Sequence, residues 1–288
     1  MLKKRVIAVL VVSNNIVVQS KGFNKYLPVG SPEISAEAFN NWGIDELFLI
    51  DINASKEKRL INLDLVKKVA SKCLVPLTVS GGIKNIQEIG QLFKVGADKV
   101  CVNNSIKNNQ NILFEGKKKF GRQCMVASID SLNIDNNFKV FDYFSGKVTK
   151  KCVFDTAIKY EEAGAGEIFI NDVSRDGSYK GYDIKLANLL CKKVSIPIIS
   201  CGGAGKPEHI VNILKKSNVS GAAAANYFHF YEHSIAVTKA YVNKFIQIRQ
   251  DTALLYSKMP IDNNGRIGRL SDYELEEYLY EKMKVEVI

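Results

Sequence analysis

The sequence predicts a (β/α)8 barrel followed by a short extension, and three observations carry that expectation. Eight short apolar runs recur along the chain with helix-length polar segments between them, the pattern of parallel β/α units. Two stretches of the first half return in the second half 121 residues later. The length of 288 residues fits one barrel of about 250 with a tail left over. A doubly wound open sheet is the structural alternative, and the repeat favours the closed barrel.

Taken in order, the candidate strands are residues 5–12, 46–51, 77–79, 99–103, 124–130, 167–172, 197–201 and 221–225. The first is a Val/Ile/Leu run behind a basic start, far shorter than the 18 or more apolar residues of a membrane helix. The second sits between Glu46 and Asp51, and the third between Pro76 and Gly81-Gly82. Gly96 precedes the fourth, the fifth ends at Asp130, and Gly164-Ala165-Gly166 leads into the sixth. Pro197 opens the seventh, Gly202-Gly203 closes it, and the eighth is an alanine run after Gly221. Residues 42–51 are echoed by 163–172, and residues 74–82 by 195–203. Two like halves of four strands are the simplest reading, because a four-strand half cannot bury its own edges.

The repeat gives the third and seventh strands equivalent turns, Gly81-Gly82 and Gly202-Gly203. Glycine lets backbone N–H groups approach an anion, and the next helix N-terminus adds its dipole. In a barrel these turns lie at the active-site face, so the pair points to a ligand with two phosphates, or one phosphate and another anion. A tight structural turn is the plainer explanation of either pair alone.

Forty Lys and Arg against thirty Asp and Glu leave a net charge of +10. The basic residues fall in short clusters such as Lys117-Lys118-Lys119 and Lys150-Lys151, with no stripe and no aromatic ladder, which argues against nucleic acid and membrane partners. Cys73, Cys101, Cys124, Cys152, Cys191 and Cys201 lack CxxC spacing and read as small buried hydrophobes. His209, His229 and His233 lack metal-ligand spacing, so neither a metal nor a nucleotide cofactor is expected. The expected location is the cytoplasm.

Several local motifs together resemble the cyclase subunit of imidazole glycerol phosphate synthase. They are Gly81-Gly82-Ile83, residues 96–100, Ser128-Ile129-Asp130, residues 164–168, Arg175-Asp176-Gly177, Gly181-Tyr182-Asp183, Gly202-Gly203-Ala204-Gly205 and Phe228-His229-Phe230. The resemblance runs from Met1 to about Ile248. It implies a (β/α)8 barrel that pairs with a glutaminase and carries ammonia along its axis. Arg5, Glu46, Lys99 and Glu167 each open a strand, and strand alternation would turn them inward as a neutralised ring. All four match the family's ammonia gate, and Asp98 matches a residue of the glutaminase interface.

At the opposite end the family uses two facing carboxylates as acid and base. Asp130 stands at one position, whereas Val11 occupies the other and carries no proton. Gln19 replaces a substrate lysine, with Lys21 nearby on the wrong parity, and Ser80, Asn104, Ser174, Cys201 and Asn226 are further departures. The resemblance implies that Gly81, Gly82, Asn103, Asn104, Asp51, Asp176, Gly177, Gly202, Gly203, Ala225 and Asn226 contact a phosphorylated or nucleotide-linked ligand. The altered mouth and the run of residues 228–231 also resemble a paralogue group that works beside a glutaminase and a sugar amidotransferase on surface polysaccharide. Three functions follow as expectations: ammonia relay for amidination of an N-acetyl sugar, a genuine cyclase of histidine synthesis, or a scaffold that activates the glutaminase.

The barrel is expected over residues 1–249 and the extension over 250–288. Ser271-Asp272-Tyr273-Glu274 has the form of a capping box opening a helix to about Met283. Leu275, Tyr278 and Leu279 would give that helix an apolar stripe, facing either the barrel or a partner.

Overall fold

In the computed structural model the described residues are 3–249, 256–257 and 259–274. Eight parallel strands close a barrel: β1 (Arg5–Ser13), β4 (Glu46–Asp51), β5 (Leu77–Ser80), β6 (Lys99–Val102), β7 (Met125–Ile134), β10 (Glu167–Asp172), β11 (Ile198–Cys201) and β12 (Gly221–Ala224). Neighbours follow that order, β12 returns to β1, and β7 pairs with β10. The fold is thus the (β/α)8 barrel the sequence predicts, with each expected strand within a few residues of its place.

Helices cover the outside: α1 (Pro32–Asn41), α2 (Leu63–Ala70), α3 (Ile86–Lys94), α4 (Asn104–Asn108), α5 (Asn111–Phe120), α6 (Val153–Ala163), α7 (Ile184–Cys191), α8 (Pro207–Lys216) and α9 (Ser234–Asn243). Side-chain caps mark several starts, with Asn62, Asn85 and Asp183 accepting from the first-turn N–H groups of α2, α3 and α7. Period-two alternation divides the apolar residues into two cores. One fills the layer between sheet and helices, and a smaller one, with Ile7, Val9, Phe48, Val126, Phe169 and Ile199, fills the barrel interior. No helix among the described residues is long and apolar enough to cross a membrane.

Two antiparallel hairpins are additions that the sequence reading does not contain. β1 continues through β2 (Ile16–Lys21) and β3 (Lys25–Gly30), and β7 continues through β8 (Asn137–Asp142) and β9 (Lys147–Cys152). Their first turns, Asn14-Asn15 and Asp135-Asn136, all have positive φ, the backbone that a two-residue hairpin demands. These turns stand 121 residues apart, so the two-fold repeat extends to the hairpins.

The six cysteines are free thiols, but only Cys101 and Cys201 are buried; the other four are half-buried, more exposed than their apolar neighbours suggested. Beyond α9, Ile261 is buried, Tyr256 Oη lies 2.6 Å from His233 Nδ1, and Lys244 donates to the Met259 carbonyl at 3.2 Å. The expected capping box forms: Ser271 N and Oγ both donate to Glu274 Oε2, and Glu274 N donates to Ser271 Oγ. The apolar stripe of Leu275, Tyr278 and Leu279 lies outside the described residues.

Candidate active site

At the N-terminal end of the barrel the four strand-opening charges meet. Arg5 bridges Glu46 at 2.5 Å and also Glu167, while Lys99 bridges the same two carboxylates at 2.8 and 3.1 Å. Both glutamates are buried, and Thr78 Oγ1 donates a further bond to Glu46 at 3.0 Å. Two cations and two anions alternate, so each buried charge has partners on both sides. Asp98, by contrast, is exposed and accepts from the Leu77 N–H at 2.8 Å, which ties it to the start of β5.

One layer above the ring, two residues along the same strands, stand Phe48 and Phe169. β4 and β10 lie four strands apart in either direction around the barrel, so these side chains approach from opposite walls. Their rings stack with centroids 4.8 Å apart and planes 25° apart, and both are fully buried. The axis between ring and mouth is therefore filled by aromatic carbon, a feature the sequence reading missed although strand parity places both residues inward.

Above the phenylalanines a cavity of about 130 Å³ opens at the C-terminal face. Val9, Val11 and Ile50 make one wall, while Asn103, Ser128, Asp130 and Asn171 make another. Asp130 is 4% exposed, and burial pushes its carboxyl up to about 6 against the pull of Lys107 and of the Asn103 amide, which donates to it at 2.7 Å. Lys107 itself bonds Asp142 at 2.9 Å. A carboxyl near neutrality in a cavity can give or accept a proton, but no second carboxyl faces it from the Val11 position.

The other expected ligand residues divide into three sets. Asp51, Gly81, Gly82, Asn103, Asn104, Asp176 and Ala225 line this cavity with Asp130. Gly177 and Asn226 line a separate outer groove with Gln19, Lys21, Lys25, Tyr179 and Lys180. Gly202 and Gly203 line neither.

Close backbone approach leaves no room for a Cβ in either glycine pair. A Cβ on Gly82 would sit 1.7 Å from the Arg59 carbonyl oxygen, and one on Gly203 2.1 Å from that of Gly181. Asp51 and Asp172 repeat each other as well. Asp51 accepts from the N–H groups of Asn53 and Ala54 and pairs with Arg59; Asp172 accepts from Ser174 and lies 3.4 Å from Arg175. Asp51 thus orders the loop after its strand.

Asp176 and Asn226 hold the first hairpin over the mouth. Asp176 Oδ2 accepts from Ser20 Oγ at 2.7 Å and from Phe23 N at 3.2 Å, and burial raises its carboxyl against those bonds. Asn226 accepts from Ser20 N and donates to Ser20 O. From the other side the second hairpin presents Phe141 and Tyr143, whose rings contact Phe23 edge-on at 6.3 and 5.8 Å, and Lys56 lies 4.2 Å from the Tyr143 centroid. The hairpins together roof the cavity. Among the described residues no group of three His, Cys, Asp or Glu is placed to hold a metal.

A barrel of two like halves, with an ion-paired ring at its base and a roofed polar cavity at its mouth, belongs to the duplicated (β/α)8 scaffolds that place their chemistry at the C-terminal ends of the strands. The family described as histidine biosynthesis protein matches residues 5–234, and this chain belongs to it. It is HisF-like: imidazole glycerol phosphate synthase subunit HisF of Hydrogenobaculum is 37% identical, and that of Clostridium botulinum (strain 657) 39% identical, each match covering 85% of this chain and 97% of the relative. A Vibrio vulnificus protein, provisionally named imidazole glycerol phosphate synthase subunit hisF2, is 39% identical over 92% of this chain and 98% of its own length. That last match runs past residue 249, so the similarity to relatives does not stop where the sequence reading ended it.

Proposed function

We propose that this chain is the ammonia-receiving barrel subunit of a glutamine-dependent amidotransferase, and that it no longer closes an imidazole ring. The observation that carries this reading is the contrast between the two ends. The Arg5–Glu46–Lys99–Glu167 ring is complete, whereas Asp130 looks across the mouth at Val11. The partner is a glutaminase subunit docked at the N-terminal face, where Asp98 is exposed. The nitrogen goes to an N-acetyl sugar of surface polysaccharide through a sugar amidotransferase. The match reaching into the extension, to a protein named apart from the plain HisF relatives, supports placing the chain among diverged paralogues. In this reading residues 1–249 are the barrel and 250–288 an appended extension.

Two further readings each have an observation behind them. Asp130, Asn103 and Asp51 persist in a chain 37–39% identical to HisF proteins, which favours a working cyclase. The Phe48–Phe169 stack across the axis favours a scaffold that activates its glutaminase without conducting ammonia. A cyclase assay at saturating ammonium separates the first from the proposal. Loss of one member of an acid/base pair predicts a rate about 10²–10⁴ below that of an ordinary family member. Ordinary turnover would establish the cyclase.

A further inference from the structure

The rim of the mouth is apolar and basic at once. Phe144, in the turn between β8 and β9, lines the inner cavity with Tyr26 of β3, and Tyr26 continues with Leu27 and Tyr179 into the outer groove. Tyr231, in the segment after β12, stands beside Tyr179, whose hydroxyl is raised first by burial and then by Tyr231 against the bond from Gln19. Leu27 is 59% exposed, Phe144 51% and Tyr231 67%, so segments from separate parts of the barrel bring large apolar side chains to one face and leave them in water. Tyr179 is held there under strain: its φ of 57° lies in the left-handed region that bulky residues rarely adopt. Gly205 makes the room, since a Cβ on it would sit 2.6 Å from that of Tyr179. Lys21, Lys25 and Lys180 stand in the same groove, and no Asp or Glu lines it beside them.

The cavity beneath the hairpins holds about 130 Å³, well under the roughly 300 Å³ at which pockets for whole small-molecule ligands begin. A sugar acceptor therefore stays outside the roof, and nitrogen leaving the mouth has to cross this rim. We propose that the rim is the docking surface for a second protein, the enzyme that holds the nitrogen acceptor, and that this enzyme meets it with an acidic face carrying apolar side chains at its centre. Aromatic side chains inside a charged border are the anatomy of a protein interface. Charge selects the occupant. A second copy of this chain, docked two-fold through the same face, would set Lys25 and Lys180 against lysines. A flat lipid surface would close the mouth to the acceptor. The inference rests on the proposed function for the partner's role, whereas the chemistry of the surface comes from the residues alone.

The test uses the full chain, with and without its glutaminase, and the probe is the purified sugar amidotransferase encoded nearest to it. Saturable binding is expected by interferometry, weaker by about tenfold or more when salt is raised to about 0.5 M. Leu27→Asp with Tyr231→Asp, and separately Lys25→Glu with Lys180→Glu, should each weaken it by about tenfold or more. All four positions lie on the surface, so the same variants should keep the parent's thermal stability and stimulate the glutaminase as the parent does. Binding at parental strength by both variants, or an amidotransferase that displaces the glutaminase, would overturn the rim as its dock. So would a chain that ignores the amidotransferase and pairs with itself or binds phosphatidylglycerol vesicles through these residues. A glutaminase that the chain fails to stimulate would overturn the functional reading, whereas stimulation without amidotransferase binding would overturn the rim alone.

Discussion

Replacing Asp130 by Asn should stabilise the fold at neutral pH, because the carboxylate is buried at a cost. It is 4% exposed, accepts one strong bond from Asn103 Nδ2 at 2.7 Å, and has no ion-pair partner of its own, since Lys107 is held by Asp142. Burial moves its carboxyl from an ordinary 3.8 to about 6. The folded chain therefore keeps this proton over a range in which the unfolded chain has released it. The contribution of Asp130 to stability falls as pH rises from about 4 to about 6 and then levels off. Two pH units correspond to about 3 kcal/mol, the upper bound on what ionised Asp130 costs above pH 6. Asparagine is neutral throughout and can turn its carbonyl to the same Asn103 donor. Urea denaturation across this range should show the variant more stable by up to about 3 kcal/mol at pH 8, with the gap closing below 6 and gone by about 4. A variant no more stable than the parent at pH 8, or a gap independent of pH, would refute the reasoning.

Other perturbations probe the rest of the frame. Lys239 on α9 is fully buried and bonds the Gly43 carbonyl at 2.6 Å and Asp45 at 2.7 Å, so Lys239→Ala should cost about 3–5 kcal/mol in chemical denaturation by taking the bonded ammonium away from a buried carboxylate. Pairing it with Asp45→Asn should recover part of that loss. Asp176→Ala removes the anchor of the β2–β3 hairpin, and trypsin should then cut at Lys21 and Lys25 several-fold faster than in the parent while the core resists. Lys99→Ala leaves Glu46 and Glu167 with Arg5 alone; in the reconstituted amidotransferase the ratio of glutamate released to aminated product should rise with little change in glutamine hydrolysis. A stable variant that stays fully coupled would count against the ring as a gate.

The barrel was legible because each strand is a short apolar run punctuated by Gly, Pro or Asp, and because the two halves repeat. The ring was legible for the same reason: parity along four strands turns Arg5, Glu46, Lys99 and Glu167 inward, and their charges alternate. Parity equally turned Phe48 and Phe169 inward, but whether two rings meet on an axis depends on strands far apart in sequence. The hairpins escaped notice although Asn14-Asn15 and Asp135-Asn136 are hairpin-turn pairs; their strands carry polar residues such as Gln19 and Lys139, and neither junction with a barrel strand contains Gly or Pro. For the glycine pairs, sequence could not separate an anion cradle from backbone crowding, since both demand a missing Cβ. The crowding arises from Arg59 and Gly181, which the pairing of β4 with β5 and of β10 with β11 brings to Gly82 and Gly203. Likewise nothing local signals that Asp176 and Asn226 clasp Ser20, more than 150 residues away.

The central claim is that this barrel works with a glutaminase through its N-terminal face, and it is tested by mixing the two. The glutaminase encoded nearest to this chain is purified with and without it, and glutamine hydrolysis is measured over micromolar concentrations of the barrel. The account predicts a stable complex and hydrolysis that rises with barrel concentration to saturation; no association and no stimulation across that range would contradict it.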